Sequence, residues 1–321
     1  GFIGSHLIEK LLRDGASVIC IDTFSTSSER NIDHLLRFSD FEFIRYDINQ
    51  PIDLLAHAEL ERFKVRWSGV QEVYHLAVPT SVKEFNTLAI STLQTNALGT
   101  INALELAKRY GAKFLLASSA VVYGPRPKHP TPFDENMNGL VDQLSPRACY
   151  DEGKRFSETC GVTYANAYGL DVRIARIFRT YGPRMKLFDA QMIPDFIINA
   201  LENKDLIIFG DENFSSSLMF VDDVVDGLMK FMAAPAGIGP VNFGSDQDLR
   251  ISEVAKKIIT LTNSTAKIKF SERLLFMSEL GLPNISKARD TLGWLPLTRL
   301  EEGLQKTIEY AKAHRFMVGG L

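Results

Sequence analysis

The chain is poor in the residues that build metal sites and disulfide frameworks. Its 321 residues include only three cysteines and six histidines, and neither set has the paired spacing of metal ligands or of a disulfide scaffold. A formal net charge of −3 without any basic run argues against nucleic acid as a partner. No apolar run is long enough to span a bilayer. We therefore expect no metal, no membrane partner and a reducing, cytoplasmic location.

Strand and helix patterns alternate through the first half of the chain. Hydrophobic periodicity predicts strands at 41–46, 70–76, 112–118 and 171–177, and helices at 29–38, 86–110 and 149–168. Such alternation is typical of a doubly wound parallel sheet with helices on both faces, the Rossmann-type α/β fold. The carboxyl ends of all the strands then meet at one edge, where ligands bind.

The first residues have the glycine pattern of a phosphate-binding turn. Gly1 and Gly4 begin a predicted helix, and the apolar run at 16–21 ends in Asp22. Glycines at a helix N-terminus let a pyrophosphate approach backbone N–H groups. An acid about twenty residues later can accept hydrogen bonds from the adenosine ribose. The pattern predicts a dinucleotide site, and with it a further strand and glycine before Gly1; an ordinary helix-capping turn is the alternative.

Tyr150 and Lys154 lie four residues apart on a predicted helix, and therefore on one face of it. A phenol titrates near pH ~10, so its use as a base at neutral pH needs a shift of roughly three units, about 4 kcal/mol. A lysine ammonium one turn away can supply part of that shift. The pair is therefore a candidate for acid–base chemistry at the phenol, and its force comes from the other motifs of the chain.

The pattern changes after residue 183. Short strands are predicted at 206–209, 241–243 and 266–270, among amphipathic helices at 190–201, 223–232, 252–261 and 300–313. We predict a dinucleotide-binding domain over 1–183 and a smaller α/β substrate domain over 184–321, partly interleaved with the first. The charged stretch 56–68 predicts a local helical insertion.

These motifs together resemble the extended short-chain dehydrogenase/reductases, the NAD-dependent epimerase/dehydratase family that modifies nucleotide sugars. The motifs that carry the resemblance are Gly1-x-x-Gly4, Asp22, Asp47-Ile48, His75-Leu76-Ala77, Asn96-x-x-Gly99, Tyr150-x-x-x-Lys154, Arg176-Ile-Phe and Tyr181-Gly-Pro-Arg184. Within the family, residues 146–155 and the turn at 183–185 look most like UDP-glucuronate decarboxylases.

The resemblance implies NAD as the cofactor, a UDP-linked sugar as the substrate and a homodimer built on the helices 86–110 and 149–168. It implies that Tyr150 is the base, that Lys154 binds the nicotinamide ribose and lowers the pKa of the tyrosine, and that Ser119 hydrogen-bonds the same substrate oxygen. Arg179 and Arg184 are candidate substrate-binding residues. The implied cofactor-binding set is Gly1, Phe2, Ile3, Gly4, Asp22, Asp47, Ile48, Leu76, Ala77, Asn96, Ser118, Tyr150 and Lys154.

The sequence departs from the family pattern around the substrate. Decarboxylases and 4,6-dehydratases have an acid just after the Ser/Thr, where this chain has Ala120 and Val121. The asparagine that usually follows Arg-Ile-Phe is Arg179. Two arginines that clamp a diphosphate are absent near 215–217 and 281–283, although bidentate guanidinium suits that task. The substrate site is therefore expected to differ from that of its relatives.

Three hypotheses follow for the reaction. In the first, the enzyme oxidises the sugar at C4 and returns the hydrogen, as a 4-epimerase, which needs no acid beyond Ser119, Tyr150 and Lys154. In the second, it decarboxylates UDP-glucuronate, because a C4 ketone makes the C5 carboxylate a β-keto acid. In the third, a cofactor-binding relative has been retargeted to another substrate, as the missing arginines indicate.

Overall fold

The computed structural model describes residues 1–81, 84, 86–127, 131–272 and 280–318. Parallel strands form its centre, as predicted from the alternating pattern. The strands of the first half are β1 (Val18–Asp22), β2 (Phe41–Arg45), β3 (Glu72–His75), β4 (Lys113–Ser119), β5 (Val172–Ile177) and β6 (Thr180–Tyr181). The α-helices there are α1 (Phe2–Arg13), α2 (Val65–Ser68), α3 (Ala89–Gln94), α4 (Thr100–Tyr110) and α5 (Ala148–Tyr168).

The second half contributes shorter strands and the remaining helices. The strands are β7 (Leu206–Phe209), β8 (Ser215–Ser216), β9 (Met219–Phe220), β10 (Val241–Phe243), β11 (Leu249–Arg250) and β12 (Ile268–Ser271). The helices are α6 (Met192–Leu201), α7 (Val221–Ala233), α8 (Ile251–Thr262), α9 (Ser286–Leu292) and α10 (Leu300–Val318). None of the helices among the described residues is long and apolar enough to cross a lipid bilayer.

The central sheet has the strand order β10-β5-β4-β3, and all of its pairs are parallel. A separate parallel pair joins β1 to β2. β1 and β3 are edge strands of these two sheets, and both line one large cavity. The further strand expected before Gly1 is a prediction that the described residues do not test. The parallel arrangement brings Asp22, His75, Ser119 and Ile177 to strand carboxyl ends.

The two halves of the chain share a core. Phe243 of β10 and Trp294 pack in one cluster with Leu115 of β4 and Ala175 of β5. The Trp294 ring meets Phe243 edge-on at 5.1 Å between centroids. Residues beyond 184 therefore contribute a strand to the sheet of the first half. The two interleaved domains and their boundary at 183 stay a prediction.

One predicted helix is wrong. Residues 29–38 form two single 3₁₀ turns, Glu29–Asn31 and Asp33–Leu35, and not one helix. Between them the backbone of Ile32 has φ −124° and ψ −5°, which no helix continues through. Ile32 and Leu35 are buried in a cluster with Phe41 and Leu12. Burial of these two side chains against β2 and α1 outweighs the local helical periodicity.

A π-helical turn lies at Thr95–Gly99, between α3 and α4. It buries Asn96, whose amide donates to Thr92 O at 2.9 Å and whose side chain faces Gly153 of α5. A Cβ at Gly153 would lie 2.7 Å from Asn96 Nδ2. The glycine therefore allows α5, the helix that carries Tyr150 and Lys154, to approach this turn closely.

Candidate active site

A cavity of about 2150 Å³ lies at the carboxyl edge of the strands. Nearly all the predicted site residues line this cavity. They come from the first residues of the chain, the ends of β1, β3 and β4, the first turns of α5, and the segment after β5. Those on its wall are Gly1, Phe2, Ile3, Gly4, Asp22, Asp47, Ile48, Leu76, Ala77, Ser118, Ser119, Tyr150, Lys154, Arg179 and Arg184. Asn96 is absent from this wall and is buried between the π turn and α5, so its role toward the cofactor stays a prediction.

The N-terminal end of α1 has room for a phosphate group. Gly1 precedes the helix, and no side chain caps its first N–H groups. A Cβ placed on Gly4 would meet no atom within 4 Å, so the open space on this face is free for a ligand. Uncapped N–H groups and the positive end of a helix dipole favour an anion there. This end of the cavity therefore fits a dinucleotide pyrophosphate.

Asp22, the last residue of β1, lies on the wall of the same cavity. Its carboxylate accepts hydrogen bonds from the Phe24 N–H at 2.7 Å and from Ser27 Oγ at 3.4 Å. Phe24 has φ 58°, a conformation that costs energy in a bulky residue. These contacts hold the carboxylate on the cavity wall, where it can accept from ribose hydroxyls.

Asp47 and Ile48 lie on the wall beyond β2. Asp47 Oδ1 accepts from the Asn49 N–H at 2.9 Å, which fixes a tight turn. Ile48 is buried, and its carbonyl accepts from Asn102 Nδ2 at 2.8 Å. The turn leaves a carboxylate and an apolar side chain beside the cavity, a combination that suits an adenine ring.

Tyr150, Ser119 and Lys154 come together at the end of β4. The Tyr150 phenol shares a hydrogen bond with Ser119, and burial raises the pKa of the phenol, against the effects of that bond and of Arg147. Lys154 is buried, and its ammonium donates to Ala117 O at 2.7 Å. Burial lowers the pKa of Lys154 to about 8, although the nearby Glu158 carboxylate opposes this. The geometry supports the predicted triad, but here Ser119 and Arg147, and not Lys154, favour the phenolate.

A second layer supports this triad, and the sequence patterns did not single it out. Glu158, one turn beyond Lys154, accepts from Ser118 Oγ at 2.5 Å and from both Arg176 Nε and Nη2, at 2.9 and 2.7 Å. In the sequence, only its spacing of four residues from Lys154 on the predicted helix could have pointed to Glu158. This partly buried ion pair ties α5 to β4 and β5, and so fixes the helix that carries the tyrosine.

The position after Ser119 holds no acid. Val121 lies on the cavity wall and is buried, in a 3₁₀ turn that Ser119 caps by accepting from the Val121 N–H at 3.4 Å. An isopropyl group can neither donate nor accept a proton. Ser119 and Tyr150 are thus the hydroxyl groups placed for proton transfer at this end of the site.

Arg184 is engaged by protein groups. Its guanidinium pairs with Glu9 of α1 and lies 3.2 Å from His34 Nε2. Its own backbone has φ 68°, and its carbonyl accepts from Asn31 Nδ2 at 3.2 Å. Arg184 therefore fastens the turn after β6 to α1, and its role toward substrate stays a prediction.

The fold and the cavity define an α/β enzyme that binds a dinucleotide beside a Tyr/Lys pair. A family model, the NAD dependent epimerase/dehydratase family, matches residues 1–244. The chain belongs to this family, as the motifs predicted. It is an NAD-dependent enzyme of the extended short-chain dehydrogenase/reductase type that acts on nucleotide sugars.

Individual relatives span nearly the whole chain. UDP-glucuronic acid decarboxylase 1 of Xenopus tropicalis is 40% identical over 310 residues, which cover 97% of this chain and 70% of that protein. UDP-glucose 4-epimerase of Thermotoga maritima, solved with UDP-glucose, is 27% identical with a TM-score of 0.84 and covers 98% of this chain and 97% of its own. UDP-glucuronic acid 4-epimerase of Bacillus cereus, solved with UDP-glucuronic acid and NAD, is 26% identical with a TM-score of 0.83, over 98% and 96% of the two chains.

We predict from Asp22 that the protein binds NAD at least tenfold more tightly than NADP, a difference of about 1.4 kcal/mol. The carboxylate accepts from ribose hydroxyls and repels a 2′-phosphate. Calorimetric titration of both cofactors tests this, with Asp22→Asn as the matched variant in which the preference should shrink. Equal affinities of the unaltered protein for both cofactors would refute the role of Asp22.

Proposed function

We propose that this protein is a 4-epimerase of a UDP-linked sugar that works by transient oxidation at C4. The observation that carries the proposal is the hydrogen-bonded pair of Ser119 and Tyr150 beside an apolar Val121. Hydrogen removal at C4 and its return need one hydroxyl proton to leave and come back, and no second acid. Decarboxylation and dehydration also need a proton placed on a ring carbon.

The residues would divide the work as follows. Ser119 and Tyr150 hold the C4 hydroxyl between two oxygens, and Tyr150 takes its proton as C4 is oxidised. Bound NAD would supply the hydride acceptor for the oxidation at C4 and the hydride donor for the return step. Lys154 binds the nicotinamide ribose, and Arg147 supplies positive charge that favours the phenolate. Rotation of the sugar within the wide cavity presents its other face before the proton returns from Tyr150.

A panel of UDP-sugars incubated with the protein and NAD tests this function. We expect one of them to be converted to an isomer of unchanged mass, and the same equilibrium ratio to be reached from either isomer. Chromatography that separates the C4 epimers gives the ratio. Failure to convert any member of the panel would overturn the proposal.

Decarboxylation of UDP-glucuronate is the second candidate, and relatives at 40% identity favour it. In that reaction the bond from C5 to the carboxylate breaks, its electron pair moves toward the C4 ketone, and a proton is then added at C5. The Val121 side chain cannot supply that proton. If this candidate is right, the panel will show CO₂ release and a pentose product.

We also propose that the protein is a homodimer. Ile90 and Leu93 of α3, Leu98 of the π turn and Phe156 of α5 are 47–70% exposed, on helices that pack together. Leu104, which lies within the predicted helix 86–110, is fully buried in the core and is not part of this exposed surface. Exposed apolar side chains on neighbouring helices suit a four-helix interface about a twofold axis.

Light scattering at micromolar concentration should give twice the chain mass. Ile90→Glu places a charge in the proposed interface and should produce a monomer. Leu297→Glu alters a side chain that is 79% exposed and lies outside these helices, so this control should stay dimeric. A monomeric mass for the unaltered protein would reject the dimer.

A further inference from the structure

Arg179 occupies a place that bears directly on the reacting end of the cavity. It lies two residues beyond Ile177, whose Cα pairs with that of Ser119 in the β4–β5 register. The backbone is fixed there because Phe178 N donates to Phe243 O at 2.9 Å and Met219 N donates to Arg179 O at 3.0 Å. The Arg179 side chain lines the cavity together with Ser119 and Tyr150.

Arg179 is a half-buried cation without a carboxylate partner among the described residues. Its Nη1 lies 3.9 Å from Met192 Sδ, and sulfur is a weak acceptor. The other arginines around the site are paired: Arg147 with Asp151, Arg176 with Glu158 and Arg184 with Glu9. A guanidinium removed from water and left unpaired is costly to the folded protein. Such a residue is expected to gain its partner from a ligand.

A second cation strengthens the preference for an anion. Arg147, whose guanidinium carbon lies 5.9 Å from the centre of the Tyr150 ring, is near enough for its charge to act on Arg179. Burial and this like charge lower the pKa of Arg179 to about 10. An anion bound between the two guanidinium groups would relieve both effects. Bidentate geometry makes a carboxylate or a phosphate the matching group.

The position of Arg147 beside the Tyr150 ring, with Arg179 on the same cavity wall, distinguishes these two anions. Tyr150 acts at the C4 oxygen under the proposed function, on which this inference rests. In a UDP-hexose the diphosphate is attached at C1, across the ring from C4, whereas C5 is bonded directly to C4. Cations at the end of the cavity that holds Ser119 and Tyr150 therefore lie nearer the substituent on C5 than the diphosphate.

We propose that Arg179, assisted by Arg147, binds a carboxylate on C5, and that the substrate is accordingly a UDP-hexuronate. Loss of CO₂ would need the electron pair of the bond from C5 to the carboxylate to flow into the ring. An ion pair stabilises the carboxylate in the ground state but gives no added stabilisation to the transition state, in which the charge leaves the carboxylate. The pairing therefore raises the barrier to decarboxylation. Arg179 and the apolar Val121 thus both favour return of the hydrogen to C4 over release of CO₂.

Calorimetric binding of UDP-glucuronate, UDP-glucose and UDP, each in saturating NAD, tests this proposal without requiring turnover. The variant is Arg179→Gln, with Arg179→Lys as the charge-conserving control. We expect Arg179→Gln to weaken the binding of UDP-glucuronate at least tenfold and to change the affinities for UDP-glucose and UDP less than twofold. Arg179→Lys should retain part of the affinity for UDP-glucuronate that Arg179→Gln loses. An equal loss of affinity for all three ligands would place Arg179 on the diphosphate and overturn the proposal. The proposal is also overturned if Arg179→Gln loses no affinity for UDP-glucuronate, or if Arg179→Lys binds it no better than Arg179→Gln.

Thermal unfolding separates binding from a structural role. Because Arg179→Gln removes an unpaired cation, the Tm of the variant should equal or exceed that of the unaltered protein; a Tm lowered by several degrees would overturn the proposal. The proposed function fails separately, if the unaltered protein converts no UDP-sugar. If it converts one while Arg179→Gln does not discriminate between ligands, only the carboxylate proposal fails.

Discussion

Tyr150→Phe should lower turnover by a factor of about 10²–10⁴, the usual worth of a positioned acid–base group, and leave NAD affinity nearly unchanged. The change removes the phenol that shares a hydrogen bond with Ser119, while the ring keeps its packing. Steady-state kinetics on the UDP-sugar that the protein converts, with a parallel calorimetric titration of NAD, gives both quantities.

Tyr164→Phe is the matched control for this variant. Tyr164 lies on the same helix, α5, and its phenol donates to Glu105 at 2.7 Å, away from the cavity wall. Removal of that hydroxyl should change turnover less than about threefold, within the range of a lost hydrogen bond near the surface. Undiminished turnover in Tyr150→Phe would show that some other group removes the proton.

Lys154→Met should damage turnover and NAD binding together, because the ammonium that would hold the nicotinamide ribose lies 5.8 Å from the centre of the Tyr150 ring, where the hydride is transferred. We expect NAD affinity to fall at least tenfold at pH 7, or about 1.4 kcal/mol. The pKa of Lys154 is lowered to about 8, so the ammonium loses its proton as the pH rises through 8. NAD affinity of the unaltered protein should therefore decline above pH 8, and that decline should be absent in Lys154→Met.

Folding stability gives an independent check of the lowered Lys154 pKa. Here the measured quantity rises with pH, whereas NAD affinity falls. Between about pH 8 and the ordinary lysine pKa of 10.5, the folded protein holds fewer protons at Lys154 than the unfolded chain does. The free energy of unfolding contributed by this group therefore rises with pH across that window. Urea unfolding at several pH values should show this rise in the unaltered protein and not in Lys154→Met. Identical pH profiles for both proteins would contradict the lowered pKa.

The sequence could predict the parts of this molecule that local periodicity determines. β7 and β10 have the predicted bounds, and α5 begins one residue before its predicted start. Gly4, Asp22 and Tyr150 reach one cavity because parallel strands share a carboxyl edge. Such features depend on spacing along the chain, which is visible without a structure.

Other features depend on contacts between distant residues. The break at Ile32 follows from burial against Phe41, and the burial of Leu104 follows from its position under β4. Arg147 lies in the stretch 146–155 that resembles the relatives, but only the structure places its guanidinium near the Tyr150 ring. Asn96 has the residue type of a ligand-binding position, yet the π turn directs it at Gly153.

Mass spectrometry of the product formed from UDP-glucuronate in D₂O with NAD tests transient oxidation and return at C4 most directly. We predict a product of unchanged mass that carries no carbon-bound deuterium, because the hydrogen removed from C4 returns to C4 without exchange with water. A product that has lost CO₂ and gained one deuterium at C5 would show decarboxylation instead and contradict the proposed 4-epimerase.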